Sequence, residues 1–200
     1  MYSRRGRGST QEWSGCLFPR YSVVFVPAMD IESELLKEHS RRQTDRIVSW
    51  IGNDTRRFGL LMDLFLRGEY RITQRSAWAV GICADRNPAL VRPYISRMLS
   101  RMEEPGVHIA VRRNVVRLLQ HVDIPAGLLG RVATLCFEYL SAGDSPVAVK
   151  CFSMTVLARI AEKEPDLRRE IRLIIEQQLP YGSGGFRSRA AWVLKALRPG

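Results

Sequence analysis

The spacing of apolar residues constrains the fold most strongly, because one period runs along almost the whole chain. From residue 30 onward apolar residues recur every three or four positions, as on one face of an α-helix, and no segment alternates as a strand would. Capping and turn residues interrupt the pattern; Asn87-Pro88 and Ser145-Pro146 each place a cap and a proline before a helix. The sequence predicts an all-α chain of about nine helices, near 32–51 (with a break near residue 40), 54–67, 71–84, 88–103, 107–122, 125–141, 146–162, 165–179 and 184–197.

Short linkers separate these helices, so consecutive helices must lie antiparallel, either in a closed bundle or in a stack of helical hairpins. Internal similarity favours the stack. The segments RITQRSAWAVGI, HIAVRRNVVRLL, VAVKCFSMTVLA and GFRSRAAWVLKA align with one basic residue in register, at successive spacings of 37, 38 and 39 residues. These in-register cations are Arg75, Arg112, Lys150 and Arg189. A period of about 40 residues is typical of helical-hairpin repeats.

The pair of residues that opens each second helix resembles the pattern of HEAT/armadillo repeats over about residues 54–197. The pairs are Gln74-Arg75, Val111-Arg112, Val149-Lys150 and Ser188-Arg189. In two copies an acidic residue, Glu69 or Asp144, lies six positions earlier, as is common in HEAT repeats. The chain also resembles small uncharacterised bacterial HEAT-like proteins, some labelled adenylosuccinate lyase, although the Met-Pro-x-Lys-x-Asn signature of that enzyme is missing here. The resemblance implies a right-handed stack of antiparallel helical hairpins, an α-solenoid, whose second helices line a concave surface.

The charge of the chain is strongly positive and almost entirely due to arginine. The sequence has 31 Lys and Arg against 20 Asp and Glu, a net charge of +11, and only four of the cations are lysine. No segment is a basic block. Two explanations stay open: arginine suits the recognition of phosphates and carboxylates, or the excess reflects a GC-rich genome.

Residues that often mark an enzyme or a metal site are scattered along the sequence. The four cysteines form no CxxC pair and lack the spacing of the disulfide-bonded cysteines of small secreted proteins, which favours a reducing cytoplasm. The three histidines lie far from cysteines or carboxylates at metal-ligand spacing. Hydrolase motifs such as GxSxG are missing, and no apolar run approaches the ~18 residues of a membrane helix. We therefore expect no catalytic residues, no cofactor, no metal and no membrane partner.

The chain divides into two parts by composition. Residues 1–28 begin with SRRGRGST and lack helical periodicity, so we expect a disordered or non-native N-terminal extension. Met29 precedes an acidic first helical turn, as a natural start would. Residues 29–200 are expected to form a single HEAT-like domain.

The helix predicted at 107–122 carries the most suggestive polar face. Arg113, Arg117 and His121 recur at every fourth position opposite an apolar stripe. With Arg159 of a later helix, they form a predicted binding site on the concave face. A merely solvated face is the alternative interpretation.

Other prominent residues have a structural interpretation. We expect the in-register cations to join neighbouring repeats by bonding to the acids of the turns, rather than to contact phosphates. Trp78 and Trp192 are predicted to be core residues, because they align with Val115 of an apolar stripe. The glycine-rich turn at Gly182, Gly184 and Gly185 could hold an anion, but a flexible turn between helices is the preferred explanation.

These observations predict a non-enzymatic helical-repeat scaffold that binds another macromolecule through its concave face. We expect that macromolecule to be a protein. The alternative, based on the net charge, is a nucleic-acid phosphate-backbone binder. A HEAT-like DNA glycosylase is a weaker form of that alternative, because no catalytic carboxylate can be placed on the concave helices. A homodimer through the terminal repeat is a third hypothesis, because the last helix carries Trp192, Val193, Leu194 and Leu197 on a weakly polar surface.

Overall fold

The computed structural model describes residues 29–67 and 69–198, and these residues fold into ten α-helices without a strand. The expectation for residues 1–28 lies outside the described residues. The helices are α1 (Ile31–Lys37), α2 (Arg41–Ile51), α3 (Thr55–Arg67), α4 (Tyr70–Arg86), α5 (Ile95–Glu103), α6 (Ile109–Leu119), α7 (Leu129–Ser141), α8 (Val147–Lys163), α9 (Leu167–Gln178) and α10 (Gly184–Ala196). Short 3₁₀ turns lie at Pro88–Leu90, Arg92–Tyr94, Ala126–Leu128 and Leu179–Tyr181.

Ten helices occur where about nine were predicted, because the first predicted helix is divided at the expected place. Glu38 is extended, and the Ser40 hydroxyl accepts a hydrogen bond from the Gln43 amide at 3.1 Å, so a new helix begins after Ser40. The predicted helix at 88–103 is shorter in the structure. Pro93 has no amide hydrogen to donate within a helix, and the chain passes through two 3₁₀ turns before α5 begins at Ile95.

The helices form two layers of an antiparallel hairpin stack, which confirms the predicted all-α solenoid. Even-numbered helices contact one another in order, α2 to α4, α6, α8 and α10, and form what we call the inner layer. Odd-numbered helices pack against them, α3 on α4, α5 on α6 and α7 on α8, and form the outer layer. A single cluster of buried apolar side chains runs from Ile31 to Leu197 between the layers. The stack therefore exposes one side of its inner helices as a continuous surface.

The two tryptophans predicted to be core residues are not in the core. Trp192 is 55% exposed, and Trp78 is half-buried at the inner surface. The buried stripe of α10 consists of smaller apolar residues beside Trp192, namely Phe186, Ala190 and Val193. Aligning the helices by their cations did not predict burial, because the aligned positions differ from helix to helix: Val115 and Ser153 are buried, whereas Trp192 is exposed.

Long side chains cap the C-terminal ends of helices across the whole stack. A helix leaves its last four carbonyls without partners, and a cationic donor near them is favourable. Six arginines, each on a different helix from its acceptor, donate to such carbonyls. They are Arg57 to Trp50, Arg75 to Leu35, Arg101 to Leu66, Arg112 to Met102, Arg159 to Leu119 and Arg168 to Ala161. Part of the arginine excess therefore joins one helix to the next.

The in-register cations do bond to neighbouring helices, but the prediction that acids would be their partners is wrong. Their partners all differ: the Leu35 carbonyl for Arg75, the Met102 carbonyl for Arg112, the Gln178 side chain for Lys150, and the Thr155 hydroxyl for Arg189. Glu69, expected to pair with Arg75, lies instead 3.9 Å from Arg67. Unpaired carbonyls at the helix ends are held in place by the fold, whereas the turn acids are exposed and can remain hydrated.

Candidate functional site

Two adjoining cavities open on the inner layer between α2, α4, α6 and α8, and together they form what we call the inner groove. Their volumes are about 290 and 270 Å³. Both cavities are lined by Ala77, Trp78, Asn114 and Arg117. The first also contacts Arg41, Gly81, Ile82, Asp85, Leu118 and His121, and the second contacts His39, Gln74, Arg113 and Phe152.

Arg113 and Arg117 supply the available positive charge of the groove, because Arg41, which also lines it, pairs with Asp45 at 2.9 Å. They lie one turn apart on α6, so their Cβ atoms are separated by about 6 Å along one helix face. No carboxylate of the described residues lies within ion-pair distance of either guanidinium group, whereas Arg67, Arg97 and Arg131 are all paired with acids. The two groove arginines are therefore available to an acidic ligand.

Asn114 lies between the two arginines and lines both cavities. The residue is 8% exposed, and its amide nitrogen is buried without a hydrogen-bond partner among the described residues. Leaving a buried donor unpaired costs about 1–3 kcal/mol, so such groups are rare in folded proteins. A ligand with an acceptor oxygen in the groove would remove this cost.

Trp78 provides the aromatic surface of the groove. Its half-buried ring lines both cavities, and the ring of His39, in the turn between α1 and α2, packs edge-on against it at 5.4 Å between centroids. Ile82 and Leu118 line the first cavity beside Trp78, and Phe152 lines the second. The groove thus combines apolar slots with donor groups, as ligand sites usually do.

The structure brings together three of the four predicted site residues. Arg113 and Arg117 line one cavity, and Arg117 and His121 line the other. Arg159 lines neither cavity, because its guanidinium donates to the carbonyls of Leu119 and Val122 at 2.8 and 3.2 Å. It closes the C-terminal end of α6 instead of facing a ligand.

Asn114, Gln74, His39 and Phe152 were not predicted from the sequence as site residues, and Trp78 was predicted to lie in the core. One signal was readable in advance: Asn114 is a polar residue next to the apolar stripe of α6. The others come from different helices and turns, and their proximity follows only from how the inner helices pack.

The described cysteines are poor nucleophiles. Burial raises the pKa of the Cys83 thiol to about 11 and that of Cys136 to about 12, and it also raises the pKa of Cys151. All three are buried free thiols. Within residues 29–67 and 69–198, no three His, Cys, Asp or Glu side chains are grouped as a metal site.

A larger cavity of about 370 Å³ lies between the α7–α8 turn and the start of α10, at the predicted glycine-rich turn. The Ser183 hydroxyl caps α10 by accepting from the Phe186 amide at 3.3 Å. A Cβ atom on Gly182 would lie 2.6 Å from the Phe186 ring, so glycine is needed there for close packing. This contact explains Gly182 without an anion.

Comparisons with known proteins agree with this architecture. A family model described as a HEAT repeat domain matches residues 31–197. The chain therefore belongs to the HEAT repeat family and is a helical-repeat protein. No curated protein and no solved structure matches it. None of the described helices is both long and apolar enough to cross a membrane.

Proposed function

We propose that residues 29–200 act as one non-enzymatic scaffold domain that binds a protein partner through the inner groove. The observation that carries the proposal is the groove itself, where a half-buried tryptophan lines the same cavity as two arginines and a buried amide that have no partner among the described residues. Stacked repeats present extended concave surfaces of this kind, and aromatic residues with arginine are enriched where proteins bind one another. The reducing cytoplasm favoured by cysteine usage is the proposed compartment.

Nucleic-acid backbone binding is the competing proposal, and the groove supports it less well. Binding to a phosphate backbone needs several free cations along a track. On the inner layer, Arg75, Arg159 and Arg189 are already bonded to carbonyls or side chains of neighbouring helices. Of the described residues that line the groove, Arg113 and Arg117 are the arginines without an ion pair, and the Asp85 carboxylate lines the first cavity together with Arg117.

Site-specific photo-cross-linking in cells tests the proposed function. We replace Gln74, which lines the groove, with p-benzoylphenylalanine, and replace the exposed outer-layer residue Arg169 in a matched variant. We expect protein adducts from position 74 and none from position 169. Arg113→Glu/Arg117→Glu should abolish those adducts, whereas the outer-layer double variant Arg56→Glu/Arg169→Glu, with the same change in charge, should retain them.

Two outcomes would contradict the proposal. Equal adducts from positions 74 and 169 would show that contact is not confined to the groove. Adducts to nucleic acid in place of protein would favour the competing proposal. Sedimentation of the same samples would show whether the chain pairs with itself through its last repeat, where Trp192 and Leu173 are exposed.

A further inference from the structure

The chemistry of the inner groove points to a particular kind of partner segment. We infer that the groove binds an extended peptide segment of the partner in which an acidic side chain lies next to an apolar one. This inference rests on the proposed function and adds the chemical class of the ligand. Four features of the groove support it.

The first feature is the unbalanced charge of the groove. Some surface arginines elsewhere on the molecule are paired with acids: Arg97 pairs with Asp63, and Arg131 pairs with Glu103. Arg113 and Arg117 have no such partner among the described residues. A carboxylate placed between two guanidinium groups one helical turn apart can accept hydrogen bonds from both, and such charge-assisted bonds are stronger than neutral ones.

The second feature is the Asn114 amide, whose nitrogen has no hydrogen-bond partner among the described residues. A side-chain amide offers both donors and an acceptor, as does the peptide group of an extended strand. Because the Asn114 nitrogen is buried and unpartnered between the two cavities, a peptide carbonyl would find a donor already in place.

The third feature is the apolar part of the groove. The first cavity, of about 290 Å³, is bounded by Trp78, Ile82 and Leu118 directly beside Arg117. This volume is sufficient for one large apolar side chain. An aliphatic or aromatic residue next to the acidic one would therefore be buried against the tryptophan ring.

The fourth feature limits the number of acidic residues that the groove can accept. Asp85 lines the same cavity as Arg117 and His121, and it repels a second carboxylate at that end. A uniformly acidic segment or a nucleic-acid strand would place further negative charges near Asp85, and the Asp85 carboxylate would repel them. The groove is thus suited to one carboxylate held at the Arg113 side and an uncharged residue near Asp85.

Selection from a displayed library of random nine-residue peptides tests the inference on the purified full chain. We expect selected peptides to be enriched in Asp or Glu beside a large apolar residue, relative to the unselected library. The same selection on Arg113→Gln/Arg117→Gln should lose the acidic preference, because glutamine keeps the helix propensity and removes the charge. The outer-layer variant Arg56→Glu/Arg169→Glu should select the same motif as the wild type.

A selected peptide, synthesised with a fluorescent label, then gives a dissociation constant. Arg113→Gln/Arg117→Gln should weaken binding by roughly 100-fold, because two charge-assisted hydrogen bonds are lost. Asn114→Ala should weaken binding about tenfold while leaving Tm at or above the wild-type value, because the removed amide is unpartnered in the free protein. A residue that merely stabilises the fold would lower Tm in the same experiment.

The results separate this inference from the proposed function. Selected peptides that are neutral or basic but still depend on Trp78 or Asn114 would overturn the acidic specificity and leave the groove as a protein-binding site. Tight binding of a 20-base-pair DNA duplex that depends on Arg113 and Arg117 would overturn the peptide class. Cross-links from position 74 that fail to appear in cells would count against the proposed function itself.

Discussion

Arg117 and Arg159 lie on neighbouring inner-layer helices and use the same side chain in opposite ways. The Arg159 guanidinium donates to the carbonyls of Leu119, at the end of α6, and Val122, just beyond it, and is part-buried. The Arg117 side chain is exposed in the inner groove, with no acidic partner among the described residues. One arginine holds the stack together, and the other lies exposed in the groove that we propose as a binding site. Residue type alone therefore did not separate the arginines that join helices from those that line the groove.

The same division explains how a chain with a net charge of +11 can fold without being a basic track. Six arginines satisfy helix-end carbonyls, and others pair with acids across the outer layer, as Arg67 does with Glu32. A guanidinium group suits a helix end because it presents several donors in a rigid plane, whereas a lysine ammonium offers a single point charge. The stabilisation of helix ends is therefore a third explanation of the arginine excess, in addition to ligand binding and genome composition.

Removing two helix-end arginines should give the largest loss of stability. Arg75→Ala/Arg159→Ala removes donors from the ends of α1 and α6 and should lower the free energy of unfolding by about 3 kcal/mol, taking ~1.5 kcal/mol for each charge-assisted contact. Urea denaturation measures the change. Arg75→Lys/Arg159→Lys, which keeps the charge but not the planar donors, should lose less. A double alanine variant within about 0.5 kcal/mol of wild type would contradict the capping role.

An arginine paired with a carboxylate should behave differently with pH from one paired with a carbonyl. Hydrogen bonding from Arg131 lowers the pKa of Glu103 below its ordinary value of 4.5. Because the folded-state pKa is depressed, this pair stabilises the fold above pH 4.5, and its contribution is lost as pH falls through the folded pKa. Arg131→Ala should cost about 0.5 kcal/mol at pH 7, as exposed ion pairs do, and less at pH 3.

The Arg75 and Arg159 contacts supply the control for that experiment, because neither partner titrates. Their contribution to the free energy of unfolding should be the same at pH 7 and pH 3. An Arg159→Ala effect that disappears in acid would mean that a carboxylate, not the Leu119 carbonyl, is the acceptor in solution.

Removing the groove arginines should have the smallest effect on stability. Arg113→Ala/Arg117→Ala breaks no ion pair of the described structure and reduces the net positive charge by two, so the free energy of unfolding should stay within about 0.5 kcal/mol of wild type or rise slightly. Thermal and urea unfolding measure it. A loss above about 1 kcal/mol would show that these residues belong with the structural arginines.

Much of the fold was predictable because helix period, caps and linker length act locally. The break near residue 40, the start of α8 after Pro146 and the stop of α9 before Pro180 all followed from one or two residues each. Pro93 shows the limit of this reasoning: it shortened a predicted helix that periodicity alone had continued.

The candidate site was predictable only in part. Arg113, Arg117 and His121 share one face of one helix, and periodicity suffices to group them. Arg159 was misassigned because the sequence cannot show that a helix end lies within reach of its guanidinium. To predict that Trp78 and Asn114 line the groove, one would have to know how α4 and α6 pack against each other.

By itself, the sequence determined the helices, their antiparallel order and the repeat architecture, because these depend on contacts between residues close along the chain. Tertiary structure alone decided which arginines bond to helix ends, which tryptophan faces outward and which amide stays unpartnered. Those properties depend on the rotation of each helix and on which carbonyls lie opposite which side chains across the stack. If one helix were turned about its axis, an arginine that donates to a helix-end carbonyl could instead face the groove. The spacing of apolar residues along the sequence would be the same in both cases.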